Sequence, residues 1–301
     1  MKIAIAGGSG FVGKALTKEL LKGQHDLYIL TRNAVDTEQP KGITVVQWLN
    51  DGDKPENQLE DTDVFINLAG ESLSSGRWTS VRKRRLLESR LIATTEINRI
   101  ISALNRKPSI LLNASAIGYY GTSHTQTFTE KIIKYPSDFL SEVTDRWEKA
   151  AEPIAKDSIR TVYMRFGVIL GKNEGALPRM IMPYKLYVGG TIGSGQQILS
   201  WIHIKDVVQA ILFCIHNDKI NGAVNFTAPN PQNMKEFGNI IGQVLGNPHW
   251  LPVPSFVLKL MLGEMSILIL EGQRVLPEKL LSQGFTFSFP TLDDALQDIL
   301  N

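Results

Sequence analysis

The chain of 301 residues carries 32 Lys and Arg against 30 Asp and Glu, for a formal net charge of +2, with 43% hydrophobic and 21% charged residues. This balance is typical of an ordinary globular protein and provides no global positive field of the kind that marks nucleic-acid-binding proteins. A single cysteine, Cys214, excludes an internal disulfide, suits a reducing cytosol and is predicted to be a small buried filler.

The first thirteen residues contain the stretch that predicts the fold. Residues 3–6 form a continuously apolar run, typical of a strand covered on both faces of a parallel sheet, and apolar residues then recur at helical spacing. The glycine-rich residues 7–13 join the two elements. Gly7 permits the tight turn, Gly10 lets the backbone approach a pyrophosphate, and Gly13 lets the helix pack close to the strand. Because the helix N-terminus then faces the anion, we predict a dinucleotide site.

Two other interpretations of this turn compete with the dinucleotide site. The run from Gly8 to Lys14 nearly matches the phosphate-binding loop of proteins that bind nucleoside triphosphates. Ala15 follows, however, where such a loop needs a hydroxyl group to hold magnesium. A glycine turn without any ligand is the structural alternative.

The apolar run is too short for a signal peptide and leads straight into the glycines, so we expect a cytoplasmic protein.

The second predicted strand, residues 26–30, ends at Thr31 and Arg32. A site selective for NAD usually places Asp or Glu at this strand end to bind the ribose 2′-hydroxyl, whereas Arg accommodates a 2′-phosphate. The sequence therefore predicts NADP, and a solvated arginine is the alternative. A third strand is predicted over residues 43–48, followed by a loop or poorly formed helix over residues 49–61.

A fourth strand is predicted over residues 63–70 and ends in the small residues Leu68, Ala69 and Gly70. The carboxyl end of such a strand is where a doubly wound sheet holds its ligand. A long helix is predicted over residues 81–104. Its predicted buried stripe consists of Leu87, Leu91, Thr95 and Ile101.

The same helix carries a basic cluster, residues 82–85 followed by Arg90. A run of charges is usually a solvated helix face. A nucleic-acid interface is disfavoured because the cluster is single and short, with no aromatic residues interleaved. The functional alternative is that one or two of these arginines contact a cofactor phosphate.

The fifth predicted strand, residues 109–116, places Ser115 where the strand opens toward the ligand crevice. A helix is predicted over residues 140–151, and a sixth strand over residues 160–165 is predicted to close the sheet.

The remainder of the chain changes character and becomes rich in glycine. A helix is predicted from Trp201 through Ile215, and a further strand over residues 223–227. Prolines, a glycine and charged residues interrupt the apolar stretch 251–270, which a membrane span of about 20 apolar residues would not tolerate. We predict a core-packed helical segment there.

His203 is predicted to be structural, linking two lobes through its ring nitrogens, because no second His, Cys or carboxylate spacing indicates a metal site.

Together these motifs resemble the extended short-chain dehydrogenase/reductase superfamily, which includes the nucleotide-sugar epimerases and dehydratases. The match runs over essentially the whole chain and is similar to one atypical branch, the "epimerase family" proteins, whose substrate is generally unassigned. The residues that carry it are Gly7 to Gly13, Asn67 to Gly70, Arg77-Trp78, Ser89-Arg90, Ser115 to Gly121, Trp147-Glu148, Arg165 with Gly167 to Gly171, Gly193 to Gln196, Ser200 to Ile204 with Asp206, and Glu271 to Arg274 with Pro277. The resemblance implies NADP in the crevice, with contacts from Thr31, Arg32, Leu68, Ala69, Arg90 and Val168.

The chain departs from this superfamily at its proton-transfer dyad. Typical members use a Tyr whose pKa is lowered by a Lys four residues later on the same helix face. None of the 7 tyrosines in this sequence has a lysine four residues further on. Where the resemblance places the dyad, the sequence has Phe139 and Val143.

One consequence is that other hydroxyl groups carry out the acid/base step. Ser115 with Tyr119 or Tyr120 would then act with a different polarising group, either Arg165 or Lys185 from across the crevice. The structural alternative for the two tyrosines is packing at an aromatic strand end.

Two further consequences compete with this one. Glu130 or Glu148 serves as the base if burial raises its pKa, although Glu148 is alternatively a surface or capping carboxylate of its helix. Otherwise the chain binds NADP without turning over a substrate.

We therefore predict an α/β protein with a Rossmann-type doubly wound parallel sheet and a smaller C-terminal α+β substrate lobe. The NADP-binding domain is predicted over residues 1–170 with a returning segment near 200–227, and the substrate lobe over residues 171–301, mainly 171–199 and 228–301. The predicted cofactor-binding residues are Gly7, Gly10, Phe11, Val12, Gly13, Thr31, Arg32, Leu68, Ala69, Gly70, Arg90 and Val168.

The predicted function is that of an NADP(H)-dependent oxidoreductase or epimerase-like enzyme acting on an unassigned small substrate. The alternative is a non-catalytic NADP-sensing binding protein. We expect a monomer or homodimer with a small-molecule substrate and with no nucleic acid, membrane or metal partner.

Overall fold

The computed structural model describes residues 1–34, 40–157 and 159–300. Its strands are β1 (Lys2–Ala6), β2 (Asp26–Thr31), β3 (Ile43–Gln47), β4 (Val64–Asn67), β5 (Ile110–Ala116), β6 (Thr127–Phe128), β7 (Arg160–Phe166), β8 (Val168–Leu170), β9 (Ile198–Leu199), β10 (Trp201–His203), β11 (Gly222–Phe226), β12 (Gln232–Asn233) and β13 (Arg274–Val275). Its helices are α1 (Phe11–Lys22), α2 (Glu56–Leu59), α3 (Ser80–Ala103), α4 (Phe139–Lys156), α5 (Leu177–Lys185), α6 (Ile204–His216), α7 (Met234–Leu245), α8 (Ser255–Leu262), α9 (Ile267–Leu270), α10 (Glu278–Ser282) and α11 (Leu292–Leu300).

Seven parallel strands form the central sheet, in the order β3-β2-β1-β4-β5-β7-β11. This is the doubly wound order, in which the chain changes direction between β1 and β4 and leaves a crevice at their carboxyl ends. Ala6 pairs with Leu30 on one side and with Asn67 on the other. The residues that follow these three strands therefore meet at one edge of the sheet. The predicted Rossmann-type fold is confirmed.

Two details of the predicted strands are wrong. Residues 160–165 do not close the sheet, because β11 pairs with β7 in parallel and forms the edge. Residues 201–203 do not begin a helix but form β10, which pairs with β8, and α6 begins at Ile204. The boundary has a local cause, since the side chain of His203 accepts a hydrogen bond from the main-chain N–H of Lys205 and caps the helix.

Helices cover both faces of the sheet. On one face, α1 and α6 bury Leu16 and Ile211 against the strands, and on the other, α3 and α4 bury Ile97 and Ile154. Because successive strand residues point to opposite faces, a strand covered on both faces needs apolar residues at consecutive positions, as β1 has from Ile3 to Ala6. Cys214 lies buried in the first of these layers, as predicted, and burial raises the pKa of its thiol to about 12.

The buried face of α3 differs from the predicted stripe by about one residue. Of the four predicted residues, Ile101 is buried, Leu87 and Leu91 are half-buried, and Thr95 is exposed. The buried residues are Leu86, Arg90, Ala93, Thr94, Ile97, Ile100 and Ile101. Leucines occupy both candidate faces of the helix, so residue spacing alone does not specify which face meets α4 and the sheet.

A separate apolar cluster lies among α5, α7 and α11 and contains Trp201, Phe237 and Leu296. In the part of the chain that the structure describes, no helix combines the length and the apolar character that crossing a bilayer requires.

The segment 251–270 is helical, as predicted, but it is not packed in the core. The segment forms α8, a 3₁₀ turn and α9, and neither helix contains a fully buried residue. Phe256 and Leu260 are 69% and 77% exposed. Polar contacts to the main chain hold α8 in place, because Arg77 donates hydrogen bonds to the carbonyls of Leu260 and Met261.

His203 connects β10 to the C-terminal helix, which agrees with its predicted structural role. Its ring stacks on Phe289 with 4.0 Å between ring centroids, and its Nε2 lies 3.3 Å from a carboxylate oxygen of Asp298. The side chain is 1% exposed, and burial lowers its pKa to about 4 against the opposing pull of Asp298.

We expect folding stability to fall as the pH drops from about 6.5 to about 4, partly because of His203. In that window the unfolded chain takes up a proton on this imidazole while the folded protein does not, an effect of about 3 kcal/mol. Urea unfolding at a series of pH values should show a flatter profile for His203→Gln than for wild type. His216→Gln, at an exposed position, is the control and should retain the wild-type slope. An unchanged slope in His203→Gln would refute this assignment.

Candidate functional site

The turn between β1 and α1 has the close packing that its glycines predict. Gly7 has a φ of +80°, and a Cβ at this position would lie 2.7 Å from the carbonyl carbon of Leu68. A Cβ on Gly13 would lie 2.2 Å from the carbonyl oxygen of Gly7. Gly10 precedes α1 and provides no side chain to cap the helix. The first N–H groups of α1 are thus left for an anion, and the turn fits the pyrophosphate of a dinucleotide.

The loop that follows β8 covers one side of this turn. The ring of Phe11 packs against it so closely that a Cβ on Gly171 or Gly175 would lie 2.5 Å or 2.9 Å from ring carbons. Nζ of Lys14 lies 3.0 Å from Oε1 of Glu174 in the same loop. Phe11 therefore anchors the loop over the N-terminus of α1.

The ends of β2 and β4 flank the glycine turn. Thr31 is the last residue of β2 and is half-buried, whereas Arg32 is exposed directly after it. On the other side, the buried side chain of Asn67 accepts a hydrogen bond from the main-chain N–H of Ala69 at 3.1 Å and donates one to Asn113 at 2.7 Å. Asn67 thereby shapes the turn through Leu68, Ala69 and Gly70 at the carboxyl end of β4.

Arg90 lies beneath this turn, buried rather than on a solvated face. It donates hydrogen bonds to the carbonyls of Leu86 at 2.7 Å and Glu71 at 3.1 Å, and its guanidinium lies 5.0 Å from the ring centroid of Trp147. Burial lowers the pKa of Arg90 to about 10. Its guanidinium is therefore largely engaged by main-chain carbonyls. Earlier on α3, three basic residues form ion pairs, Arg82 and Arg85 with Glu71 and Lys83 with Glu264.

A buried polar network joins β5, α4 and β7 behind the crevice. Glu148 accepts two hydrogen bonds from the guanidinium of Arg165, both at 2.8 Å, and a third from the hydroxyl of Ser115 at 2.6 Å. The side chains of Arg165 and Glu148 are 5% and 12% exposed. Arg165 and Ser115 are thus joined through the carboxylate of Glu148, and the role of Arg165 as a polarising group stays a prediction.

The two candidate tyrosines pack around Arg165. The guanidinium carbon lies 3.4 Å from the ring centroid of Tyr119. Tyr120 is 2% exposed, donates a hydrogen bond to Asn225 at 2.8 Å and accepts one from Arg165 at 3.0 Å. Burial raises the pKa of Tyr120 to about 12, the reverse of the lowered pKa that a proton-transferring tyrosine needs. These contacts favour structural packing for Tyr120, and the catalytic assignment of both tyrosines stays a prediction.

The other candidate acid/base groups lie away from the crevice. Glu130 accepts hydrogen bonds from the main-chain N–H groups of Asn225 and Lys279, which join it to β11 and α10, and burial raises its pKa. Lys185 is exposed at the end of α5. Neither residue lines the cavity described next.

A cavity of about 310 Å³ opens at the carboxyl end of the sheet. Its walls come from the turn 116–118, the first turns of α4, residues 166–168 and 198–200, and the segment 267–273. Arg90 and Val168, both predicted cofactor contacts, line it. Ser115, Glu148 and Arg165 each adjoin a lining residue, so their network lies directly behind the wall.

The sequence does not predict that the segment 267–273 forms a cavity wall. Its motif Glu271 to Arg274 contributes only to the family resemblance, and the apolar Ile267 and Leu268 indicate a core helix. Val143, Thr144 and Trp147, spaced along one face of α4, also line the cavity. Helical spacing could have identified that face once the helix was predicted.

A sequence model described as "NAD dependent epimerase/dehydratase family" matches residues 3–226, and one described as "Domain of unknown function (DUF1731)" matches residues 253–299. The chain is 51% identical over 300 residues to "Epimerase family protein YfhF" of Bacillus subtilis, covering 100% of this chain and 98% of that protein. It is 42% identical over 297 residues to "Epimerase family protein SH2119" of Staphylococcus haemolyticus, covering 99% of this chain and 98% of that protein.

Solved structures show the same similarity. The crystal structure of human epimerase family protein SDR39U1 with NADPH is 32% identical, has a TM-score of 0.88 and matches over 99% of both chains. UDP-glucuronic acid 4-epimerase from Bacillus cereus, in complex with UDP-glucuronic acid and NAD, has a TM-score of 0.80 at 15% identity over 99% of this chain and 98% of that chain, which shows the shared fold alone.

Proposed function

The chain belongs to the NAD-dependent epimerase/dehydratase family, and from that premise we propose that it is an NADP(H)-dependent oxidoreductase or epimerase-like enzyme acting on a small substrate. Residues 1–170 and the returning segment near 200–227 would bind the cofactor. Residues 171–301, mainly 171–199 and 228–301, would form the substrate lobe. The buried lone cysteine supports a cytoplasmic location.

The observation that carries this proposal is the glycine turn between β1 and α1. The missing side chains at Gly7 and Gly13 bring the turn against β4 and leave the helix N-terminus open to a pyrophosphate. Arg32 at the end of β2 supports NADP over NAD, as does the NADPH in the human SDR39U1 structure. When bound, such a cofactor supplies or accepts a hydride at its nicotinamide ring.

Within this proposal Ser115 takes part in proton transfer, and Glu148 and Arg165 position it. The short hydrogen bond from the hydroxyl to Glu148 holds the serine in one orientation, and the ion pair to Arg165 holds Glu148. Proton transfer by a positioned side chain contributes about 10² to 10⁴ in rate.

Ser115→Ala is therefore expected to lower turnover by about a hundredfold while the affinity for NADPH stays unchanged. Steady-state kinetics across a pH series, paired with calorimetric NADPH titration, would measure both quantities. Ser109→Ala is the matched control, because Ser109 lies at the amino end of β5 and donates a hydrogen bond to the carbonyl of Asp63. Wild-type turnover and pH profile in Ser115→Ala would remove Ser115 from the proposed chemistry.

The second candidate function is an NADP-sensing binding protein. Two observations favour it: apolar Val143 stands on the cavity-facing side of α4, and Tyr120 is buried with a raised pKa. Screening NADPH oxidation against panels of carbonyl compounds and nucleotide sugars separates the two functions. Turnover of any panel member supports the enzyme, whereas tight NADPH binding without turnover across both panels supports the sensor.

A further inference from the structure

The cavity beside the proposed cofactor site has mainly apolar walls. Leu140 and Val143 of α4, Phe166 at the end of β7, Val168 of β8 and Leu268 of α9 supply side chains from separate elements. Apolar surface of this kind stabilises a ligand by removing its hydrocarbon groups from water.

Most polar groups at the cavity are already satisfied by the protein. Thr144 donates its hydroxyl proton to the carbonyl of Leu140 at 2.9 Å, and Ser200 donates to the carbonyl of Gln273 at 2.8 Å. The side-chain amide of Gln273 in turn donates to the carbonyl of Ile117 at 3.1 Å. A strongly polar ligand would have to compete with these hydrogen bonds.

The charges around the cavity oppose a diphosphate. Among the described lining residues, Arg90 is the one Arg or Lys, and its guanidinium already donates to two main-chain carbonyls. The lining also contains two carboxylates, Asp138 and Glu271. Asp138 accepts the N–H of Ser141 at 2.9 Å, and Glu271 lies 3.4 Å from His124. A nucleoside diphosphate would meet two carboxylates and little free positive charge.

We propose that this cavity binds a small, uncharged and largely apolar carbonyl compound, and not a nucleoside-diphosphate sugar. The inference rests on the proposed function, because it names the substrate class of the same site. The volume of about 310 Å³ borders Val168 and Arg90, both predicted cofactor contacts, so the space left for a substrate is small. The apolar walls favour a ligand with hydrocarbon groups. The hydroxyls of Thr144 and Ser200 and the guanidinium of Arg90 already form hydrogen bonds within the protein, which disfavours a ligand with phosphate groups.

The test is calorimetric titration with acetone, methyl ethyl ketone, methyl butyl ketone and methyl hexyl ketone, and separately with UDP-glucose, each with and without saturating NADP⁺. We expect ketone affinity to rise about fourfold per added methylene and UDP-glucose to show no binding. Tighter binding of UDP-glucose than of methyl hexyl ketone would overturn the proposal. So would a flat ketone series, or no ketone binding up to the solubility limit.

A pair of variants locates the binding. Leu268→Asp places a carboxylate in the cavity wall at a half-buried position of α9 and is expected to weaken methyl hexyl ketone binding about tenfold. Leu281→Asp makes the same change at a leucine that is 47% exposed on α10, outside the cavity, and should leave ketone binding unchanged. Equal weakening in both variants would overturn the placement. Thermal unfolding checks that both variants fold.

Failure of the proposed function is distinguishable from failure of this inference. Absence of NADPH binding would refute the proposed function. The ketone titrations of the protein alone would still show whether the cavity binds apolar carbonyl compounds. NADPH binding together with a flat ketone series would refute the inference and leave the proposed function in place.

Discussion

Replacing Arg32 by alanine is expected to lower the affinity for NADPH by about thirtyfold and to leave the affinity for NADH unchanged. Arg32 directly follows β2, beside the glycine turn that fits the pyrophosphate. A guanidinium at this position would donate charge-assisted hydrogen bonds to the 2′-phosphate that distinguishes the two cofactors.

Calorimetric titration of wild type and variant with both cofactors would measure this difference. Arg106→Ala is the matched control, because Arg106 is another exposed arginine but pairs with Asp63 at the amino edge of the sheet, 2.6 Å away. An equal loss for NADPH and NADH in Arg32→Ala would contradict the NADP assignment. Absence of binding by both cofactors to wild type would remove the dehydrogenase interpretation altogether.

Glu148→Ala is expected to destabilise the protein by about 3–5 kcal/mol, because it leaves the buried guanidinium of Arg165 without a counterion. Three hydrogen bonds end on this carboxylate, two from Arg165 and one from Ser115. The ring of Tyr119 lies against the guanidinium but provides no acceptor comparable to a carboxylate.

Urea unfolding would measure the loss, with Glu142→Ala as the control on the same helix. Glu142 forms an exposed pair with Arg146 at 3.4 Å, so its removal should cost less than about 1 kcal/mol. The double variant Glu148→Ala with Arg165→Met should recover part of the stability, since no charge is then left buried. A single-variant cost as small as that of Glu142→Ala would show that the network does not stabilise the fold.

The strands of the sheet could be predicted because their signal is local. A parallel strand covered on both faces needs an apolar residue at every position, and the runs beginning at Ile3, Val64 and Ile110 have this pattern. The same signal failed for Trp201 to His203, since three residues are too few to distinguish a strand from the start of a helix. It also failed for the segment 251–270, whose two α-helices contain no fully buried residue.

The candidate site likewise has features that the local sequence predicts and features that it does not. The glycine turn and Arg32 could be located because a turn between consecutive elements depends on residues a few positions apart. The network of Ser115, Glu148 and Arg165 joins three elements, and the residue numbers differ by 33 for the first two and by 17 for the last two. Spacing could not pair them, and the sequence indicates Glu148 only as one of two possible bases, the other being Glu130.

By itself, the sequence determined the Rossmann-type fold and the position of the proposed phosphate cradle, because apolar runs and glycine spacing act through local backbone geometry and burial. Only the tertiary structure decided which face of α3 is buried, that Arg90 and Tyr120 are enclosed, and that the segment 267–273 forms a wall of the cavity. Those features depend on which elements meet in space, and burial and charge pairing between distant residues leave no periodic signal along the chain.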